Sequence, residues 1–246
     1  MEPTPYNLMM VEGNARLGHP YGSADDLVIS SVSSDGKKVP KKRGRSCHHV
    51  VPYSKLRDFW NKLVENNIIA SQEFLRVLRQ NLDRRQYVDL LEPRGNLGGN
   101  DAREIVNLAR DIYTGAVCHA KEARNRPPGW DNLVLVYSWL PGNLFVGPSD
   151  RCDDRGDEFD QAFFGLGGAT KNRVSILTAA NTMILAYLKQ GASNKSGFEA
   201  AEALSGVVRL PRFIDFNGKD WIWYPEGDSR KSRIKDIDGP QAMGNS

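Results

Sequence analysis

Apolar residues that recur with the 3.6-residue period of an α-helix constrain the fold of this chain more than any other feature. Ser54 is a candidate N-cap, and five apolar side chains follow it at the i, i+3, i+4, i+7 and i+8 positions: Leu56, Phe59, Trp60, Leu63 and Val64. A second helix is predicted from Ser71, and a third follows Gly98 with an apolar stripe that reaches Ala120. Pro127 and Pro128 must end this third helix.

Beyond the two prolines, the apolar pattern changes to that of strands. Residues 133–139 are rich in Val, Tyr and Trp, and residues 144–146 are predicted to return as the second strand of a hairpin after the Pro141-Gly142 turn. Residues 213–224 alternate around Asn217-Gly218, the dipeptide that type I′ hairpin turns favour. Helices are predicted between these strands, over residues 158–164, 174–189 and 197–208, and the second of them is expected to be largely buried.

Composition divides the chain into three parts. Residues 1–45 contain much Gly, Pro, Ser, Asp and Lys, so they are predicted to form a flexible basic arm in which only residues 27–32 make a short strand. Residues 46–227 are predicted to form a single α+β domain, with residues 54–125 as a helical insertion. The polar segment 228–246 is expected to be a frayed tail.

The charge of the chain is nearly balanced, with 33 Lys and Arg against 30 Asp and Glu, so the net charge by itself indicates no partner. Its distribution says more, because six cations lie within nine residues: Lys37, Lys38, Lys41, Lys42, Arg43 and Arg45. Three cysteines in 246 residues do not make a disulfide framework. The most apolar run, residues 174–188, is too short to cross a bilayer, and residues 1–20 lack a secretory signal, so no membrane span is expected.

A histidine doublet follows the cationic segment directly, in the run His48-His49-Val50-Val51-Pro52. Consecutive residues of an extended segment point to opposite sides, so one imidazole can bind a metal while the other faces a substrate. With Pro52 and the later run Asn143-Leu144-Phe145-Val146, this sequence resembles the HNH, or His-Me finger (ββα-metal), endonuclease superfamily. The resemblance implies an α+β fold with a ββα-metal core, a large inserted helical subdomain, and a C-terminal helix with a β-hairpin.

The same resemblance implies a set of site residues. His48 would bind the metal, His49 would act as general base, and Asn143 would hold the loop that carries the base. Two features depart from the family pattern: 94 positions separate His49 from Asn143, and carboxylates replace the closing His or Asn. Asp153 and Asp154 would therefore complete the site, and oxygen ligands favour one Mg²⁺ or Mn²⁺, with Zn²⁺ as the alternative.

Other interpretations of these residues remain open. Arg151 would stabilise the transition-state charge, or would simply pair with its acidic neighbours. Asp153 and Asp154 could equally serve as an N-cap and a first-turn acid of a helix. Two Cys-His dipeptides, at positions 47–48 and 118–119, allow a structural zinc site, although zinc ligands are usually spaced by two to four residues.

The implied function is that of a metal-dependent endonuclease, because the sequence is similar to nuclease domains of bacterial polymorphic toxins. DNA is the favoured substrate, with its phosphates bound by a basic segment: Lys41, Lys42, Arg43 and Arg45. Such a toxin would reach the cytoplasm of a target cell without a signal peptide. A cognate immunity protein would bind it. The basic segment also matches a nuclear targeting signal, which gives an alternative destination. The alternatives are a non-catalytic nucleic-acid-binding or adaptor module, and a toxin enzyme that acts on nucleotides or protein.

Overall fold

A computed structural model describes residues 8–10, 26–32, 37–84, 87, 99–117, 126–226 and 229–235. The described part combines α-helices with two small β-sheets, as the α+β prediction requires. Its six α-helices, numbered here in chain order, are α1 (Tyr53–Glu65), α2 (Glu73–Asp83), α3 (Gly99–Tyr113), α4 (Trp130–Ser138), α5 (Lys171–Leu188) and α6 (Asn194–Arg209). Its six strands are β1 (Leu27–Val32), β2 (Lys38–Arg43), β3 (Arg45–His49), β4 (Leu144–Pro148), β5 (Trp221–Glu226) and β6 (Ser229–Ile234).

Five of the six predicted helices are present as α-helices, whereas the one predicted over residues 158–164 is wrong: the chain has a short 3₁₀ helix there, over Gln161–Gly165. All five apolar positions of the predicted stripe are buried on α1, and Phe59 and Trp60 both contact Phe74 of α2. The helix begins at Tyr53, after Pro52, so Ser54 lies inside its first turn and is not its N-cap. Helix α3 ends at Tyr113, earlier than predicted, because residues 114–117 form a turn in which Gly115 has a positive φ. The last position of the predicted stripe, Ala120, lies outside the described residues.

The helices share one hydrophobic core. Helix α1 packs on α5, α2 packs on α3 and α6, and α5 and α6 pack against each other. Helix α5 was expected to be largely buried, which is wrong: four of its side chains are buried, whereas Met183 and Leu185 are exposed. None of the described helices is both long and apolar enough to span a bilayer.

The predicted hairpin of residues 133–146 is wrong. Residues 130–138 form helix α4, and β4 pairs antiparallel with β3, so that Leu144 faces His49 and Phe145 faces His48. Helix α4 is buried on every side from Leu133 to Ser138. It therefore lacks the polar face that would have shown a helical period, and its β-branched and aromatic residues imitate a strand.

Two further segments differ from their predicted structure. Residues 38–43 belong to a four-stranded sheet of order β2-β1-β5-β6 and are not part of a flexible arm. Asn217-Gly218 begins a short 3₁₀ helix, and the C-terminal hairpin is formed instead by β5 and β6, in which Glu226 pairs with Ser229. The described part of the predicted frayed tail is thus strand β6, which the loop at residues 150–152 also contacts through backbone hydrogen bonds.

Candidate functional site

The histidine doublet ends strand β3, where the pleat directs its two side chains to opposite faces. On one face, His48 stacks on Phe145 with ring centroids 5.3 Å apart and lies 6.4 Å from the ring of Trp221. On the other face, His49 lies 4.9 Å from the ring of Trp139 and 6.5 Å from that of Tyr53. The imidazoles of His48 and His49 therefore lie in two separate environments.

Asn143 fixes the chain immediately after the doublet. Its Oδ1 accepts a hydrogen bond of 2.7 Å from the Val51 amide, and its Nδ2 donates one of 2.8 Å to the Val51 carbonyl. Its own carbonyl accepts a third bond, of 2.9 Å, from the Val50 amide. These three bonds attach Asn143 to the segment that directly follows the histidines.

Both ring nitrogens of His48 face oxygen atoms. Nε2 lies 3.1 Å from the carbonyl of Pro148, so this nitrogen carries the proton and donates it. Nδ1 lies 3.4 Å from Oδ2 of Asp154. A histidine that donates one nitrogen to a backbone carbonyl is a common arrangement in metal sites, since this bond fixes the nitrogen that binds the metal.

His49 also contacts a backbone carbonyl. Its Nε2 lies 2.6 Å from the oxygen of Ser138, at the end of α4. In the neutral tautomer that donates this bond, Nδ1 is the basic nitrogen. Helix α4, which the sequence did not predict, therefore orients the imidazole proposed as the general base.

The two acidic residues of the predicted metal site have different environments. Asp154 lies beside His48, and its side chain is 42% exposed. The hydrogen bond to His48, together with one from the Gly156 amide and the charge of Arg151, lowers the pKa of Asp154 to about 2. Asp153 instead accepts bonds from Arg151 Nε at 2.6 Å and from the Ile234 amide at 3.1 Å. Of the two carboxylates, only that of Asp154 is placed beside His48.

Arg151 is not placed to contact a substrate. Its side chain is 1% exposed and forms a two-point ion pair with Asp160, in addition to its bond with Asp153. Burial disfavours the guanidinium charge, but the carboxylates of Asp160 and Asp153 more than offset this and raise the pKa of Arg151. The expected contact between this guanidinium and a phosphate is incompatible with such a buried, carboxylate-paired position.

The predicted phosphate-binding residues do not form one continuous face. Lys41 and Arg43 lie over the ring of Trp223, at 5.7 and 5.0 Å, and Arg43 also pairs with Asp150 at 3.2 Å. Lys42 points to the other side of β2 and lies 3.8 Å from Asp26. Arg45 belongs to the next strand, opposite Pro148, and its side chain is half-buried. The basic segment is thus divided between the two faces of β2 and the neighbouring strand β3.

The residues around His48 fit a divalent cation bound through few protein ligands. At metal–ligand distances of about 2.1 Å, two neighbouring ligands lie roughly 3.0–3.4 Å apart, which the His48–Asp154 distance of 3.4 Å satisfies. Within the described residues, no three His, Cys, Asp or Glu side chains form a metal-binding group. Two ligands suit Mg²⁺ or Mn²⁺, which commonly keep several waters and bind substrate phosphates. Cys118 and His119, two residues of the alternative zinc site, lie outside the described residues.

Two residues near the site were not identified from the sequence. Trp221 of β5 covers Gly147 and lies beside His48, while Asp160 holds Arg151. No local pattern marks these residues, because Trp221 comes from a strand more than 170 positions after the doublet. A glycine at position 147, inside a strand, is the one signal of a close approach.

Comparison with known proteins adds a distant relative. The chain is similar to protein p9 of Acyrthosiphon pisum secondary endosymbiont phage 1, with 27% identity over 204 residues. The match covers 74% of this chain and 53% of the phage protein, so the chain spans about half of the length of this curated relative. No family model and no solved structure matches the chain. The name of the relative states no activity.

Proposed function

We propose that this protein is a metal-dependent endonuclease whose site is built on strands β3 and β4 in the manner of a ββα-metal core. The observation that carries the proposal is the pairing of His48 Nδ1 with Asp154 Oδ2 at 3.4 Å, while His48 Nε2 donates to the Pro148 carbonyl. The antiparallel pairing of β3 with β4 and the Asn143 tether support the comparison with that core. The helical part of the core would follow the acidic loop, where the chain has a 3₁₀ helix over Gln161–Gly165.

Each residue has a defined task in this proposal. His48 and Asp154 would hold one divalent cation, Mg²⁺ or Mn²⁺ by the chemistry of the ligands, which would supply polarisation of a scissile phosphate. His49 accepts a proton from water through Nδ1, because its Nε2 donates to the Ser138 carbonyl. Asn143 holds the backbone beside both imidazoles through its two bonds to Val51.

The substrate and the biological setting are part of the same proposal. DNA is the favoured substrate, with Lys42 of β2 as an exposed cation for its phosphates. The protein would act as a toxin or effector in the cytoplasm of a target cell, with nuclear targeting as an alternative destination. A cognate immunity protein is then expected to bind over the site.

Cleavage of supercoiled plasmid by the purified full chain tests this proposal. We expect cleavage with Mg²⁺ or Mn²⁺ and none with EDTA. His49→Ala should lower the rate by about 10²–10⁴, the usual contribution of a general base. Asp154→Asn should abolish the metal response, whereas Asp157→Asn is the matched control, because Asp157 lies in the same loop and is exposed.

The outcomes separate the competing functions. Full activity of His49→Ala would overturn the assignment of the base, and equal effects of the Asp154 and Asp157 substitutions would overturn the metal site. Plasmid binding without cleavage under any metal would favour a nucleic-acid-binding module. Turnover of RNA, nucleotides or protein in place of plasmid would favour a different toxin enzyme.

A further inference from the structure

The acidic loop that carries Asp154 is closed by a buried ion cluster. Arg151, at the start of this loop, pairs through both terminal nitrogens with Asp160, at its end, and Asp160 is itself buried. The Nε of Arg151 donates to Asp153 at 2.6 Å. One guanidinium thus joins carboxylates on both sides of Asp154 in the sequence.

The cluster is attached to the scaffold at two points. The Asp160 amide donates a 2.9 Å hydrogen bond to the carbonyl of Val50, the residue that follows the histidine doublet. Asp153 Oδ2 accepts a 3.1 Å bond from the Ile234 amide of β6. One end of segment 153–160 is therefore attached beside the end of β3 and the other end to β6, so the two anchors flank Asp154 in the sequence.

The same aromatic side chains pack against Arg151 and His48. The guanidinium lies 5.1 Å from the ring centre of Phe145 and 5.8 Å from that of Trp221. His48 stacks on Phe145 at 5.3 Å and lies 6.4 Å from Trp221. A displacement of Arg151 would consequently disturb the loop and the imidazole together.

We propose that Arg151 is a positioning residue that holds Asp154 at the distance from His48 at which both bind one divalent cation. This inference rests on the proposed function, and it replaces a direct role of Arg151 at the phosphate. Two carboxylates surround the single guanidinium, so the cluster keeps a net negative charge beside the cation. The residue acts through the position of Asp154 and leaves the chemical step to other groups.

Mn²⁺ binding to the full chain, measured by isothermal titration calorimetry, tests the proposal. Arg151→Lys keeps the charge but cannot bind Asp160 at two points, so Mn²⁺ affinity should fall about 10–100-fold, as is usual when a partner of a metal ligand is lost. Arg155→Lys is the matched control. Arg155 lies in the same loop, but its side chain is exposed and forms a looser ion pair of 3.6 Å with the exposed Glu158. The kcat of Arg151→Lys at saturating Mn²⁺ should stay close to the wild-type value.

Two results would overturn the inference: unchanged Mn²⁺ affinity in Arg151→Lys, or a loss of kcat at saturating metal, which indicates direct contact with the phosphate. If Arg151→Lys does not fold, Asp160→Asn weakens the same pair from the other side and should give the same loss of affinity.

Hydrogen exchange of the amides in residues 152–161 separates this inference from the proposed function. If the wild-type chain binds no Mn²⁺, the proposed function fails. Faster exchange in Arg151→Lys than in Arg155→Lys would still support the positioning of the loop, and equal exchange would overturn it.

Discussion

Gly147→Ala is expected to destabilise the protein strongly, because the indole of Trp221 lies directly on this glycine. A Cβ at position 147 would lie 2.5 Å from both Cζ2 and Cη2 of Trp221, and 3.1 Å from Cδ2 of His48. Carbon atoms in contact are normally about 3.5–4.0 Å apart, so the indole must move by roughly 1 Å. Gly147 does not have a positive φ, so the expected loss of stability comes from steric overlap with the indole and not from backbone strain.

The indole has little freedom to move. Trp221 is fully buried, stacks on Phe216 at 6.4 Å and lies 6.3 Å from Phe145. Overpacking by one methylene costs about 1–3 kcal/mol, and we expect a value near the upper limit. At about 2–4 °C per kcal/mol for a protein of this size, the Tm should fall by roughly 6–12 °C.

Chemical denaturation and thermal melting of Gly147→Ala measure this effect against a matched control. Gly206→Ala adds the same methyl group inside helix α6, where the Cβ would meet only Ile176 Cγ2 at 3.3 Å. The helix propensity gain there is about 1 kcal/mol, so the control should be neutral or stabilising.

A double-mutant cycle with Trp221→Phe tests the cause. Because phenylalanine lacks part of the indole ring system, the double variant should lose less stability than the sum of the two single variants. Strict additivity, or a Gly147→Ala variant as stable as the wild type, would refute the packing of Trp221 onto the site.

Two further predictions concern the tether and a surface ion pair. Asn143→Ala removes both bonds to the buried Val51 backbone, which should cost about 2–4 kcal/mol in urea denaturation; a loss near zero would contradict the tether. Hydrogen bonding from Arg76, with the charge of Arg209, lowers the pKa of Glu73 below its ordinary value of 4.5. The stabilisation that ionised Glu73 contributes to the folded state is therefore fully present above about pH 4.5, and it is lost as the pH falls through the lowered pKa of Glu73 in the folded protein. Glu73→Gln should be less stable than the wild type at pH 7, and the difference should vanish in acid; a difference that persists or grows would contradict this sign.

The parts of the fold that could be predicted from the sequence are those with local signals. Helix α1 was predicted because its apolar stripe faces one core, and β1 was predicted from a short apolar run. Helix α4 was not, because burial on all sides removes the polar face on which the period depends. The C-terminal hairpin was placed too early because Asn217-Gly218 is a strong turn signal that the chain uses for a 3₁₀ helix.

The candidate site shows the same division between local and long-range information. The doublet and Asn143 were found together by resemblance to a known motif, and the pairing of β3 with β4 places them side by side. The choice between Asp153 and Asp154 could not be made from the sequence. The Asp153 carboxylate accepts a hydrogen bond from the Ile234 amide, 81 positions away, whereas the Asp154 carboxylate lies beside His48. A contact over this sequence distance has no local signal.

The position of a bound Mn²⁺ ion tests the central claim most directly. Anomalous diffraction from crystals soaked in Mn²⁺ locates the ion without reference to activity. We predict a single peak at about 2.0–2.3 Å from both His48 Nδ1 and an Asp154 carboxylate oxygen. A saturated crystal with no peak between these two side chains, or with the ion bound elsewhere, would contradict the proposed metal site.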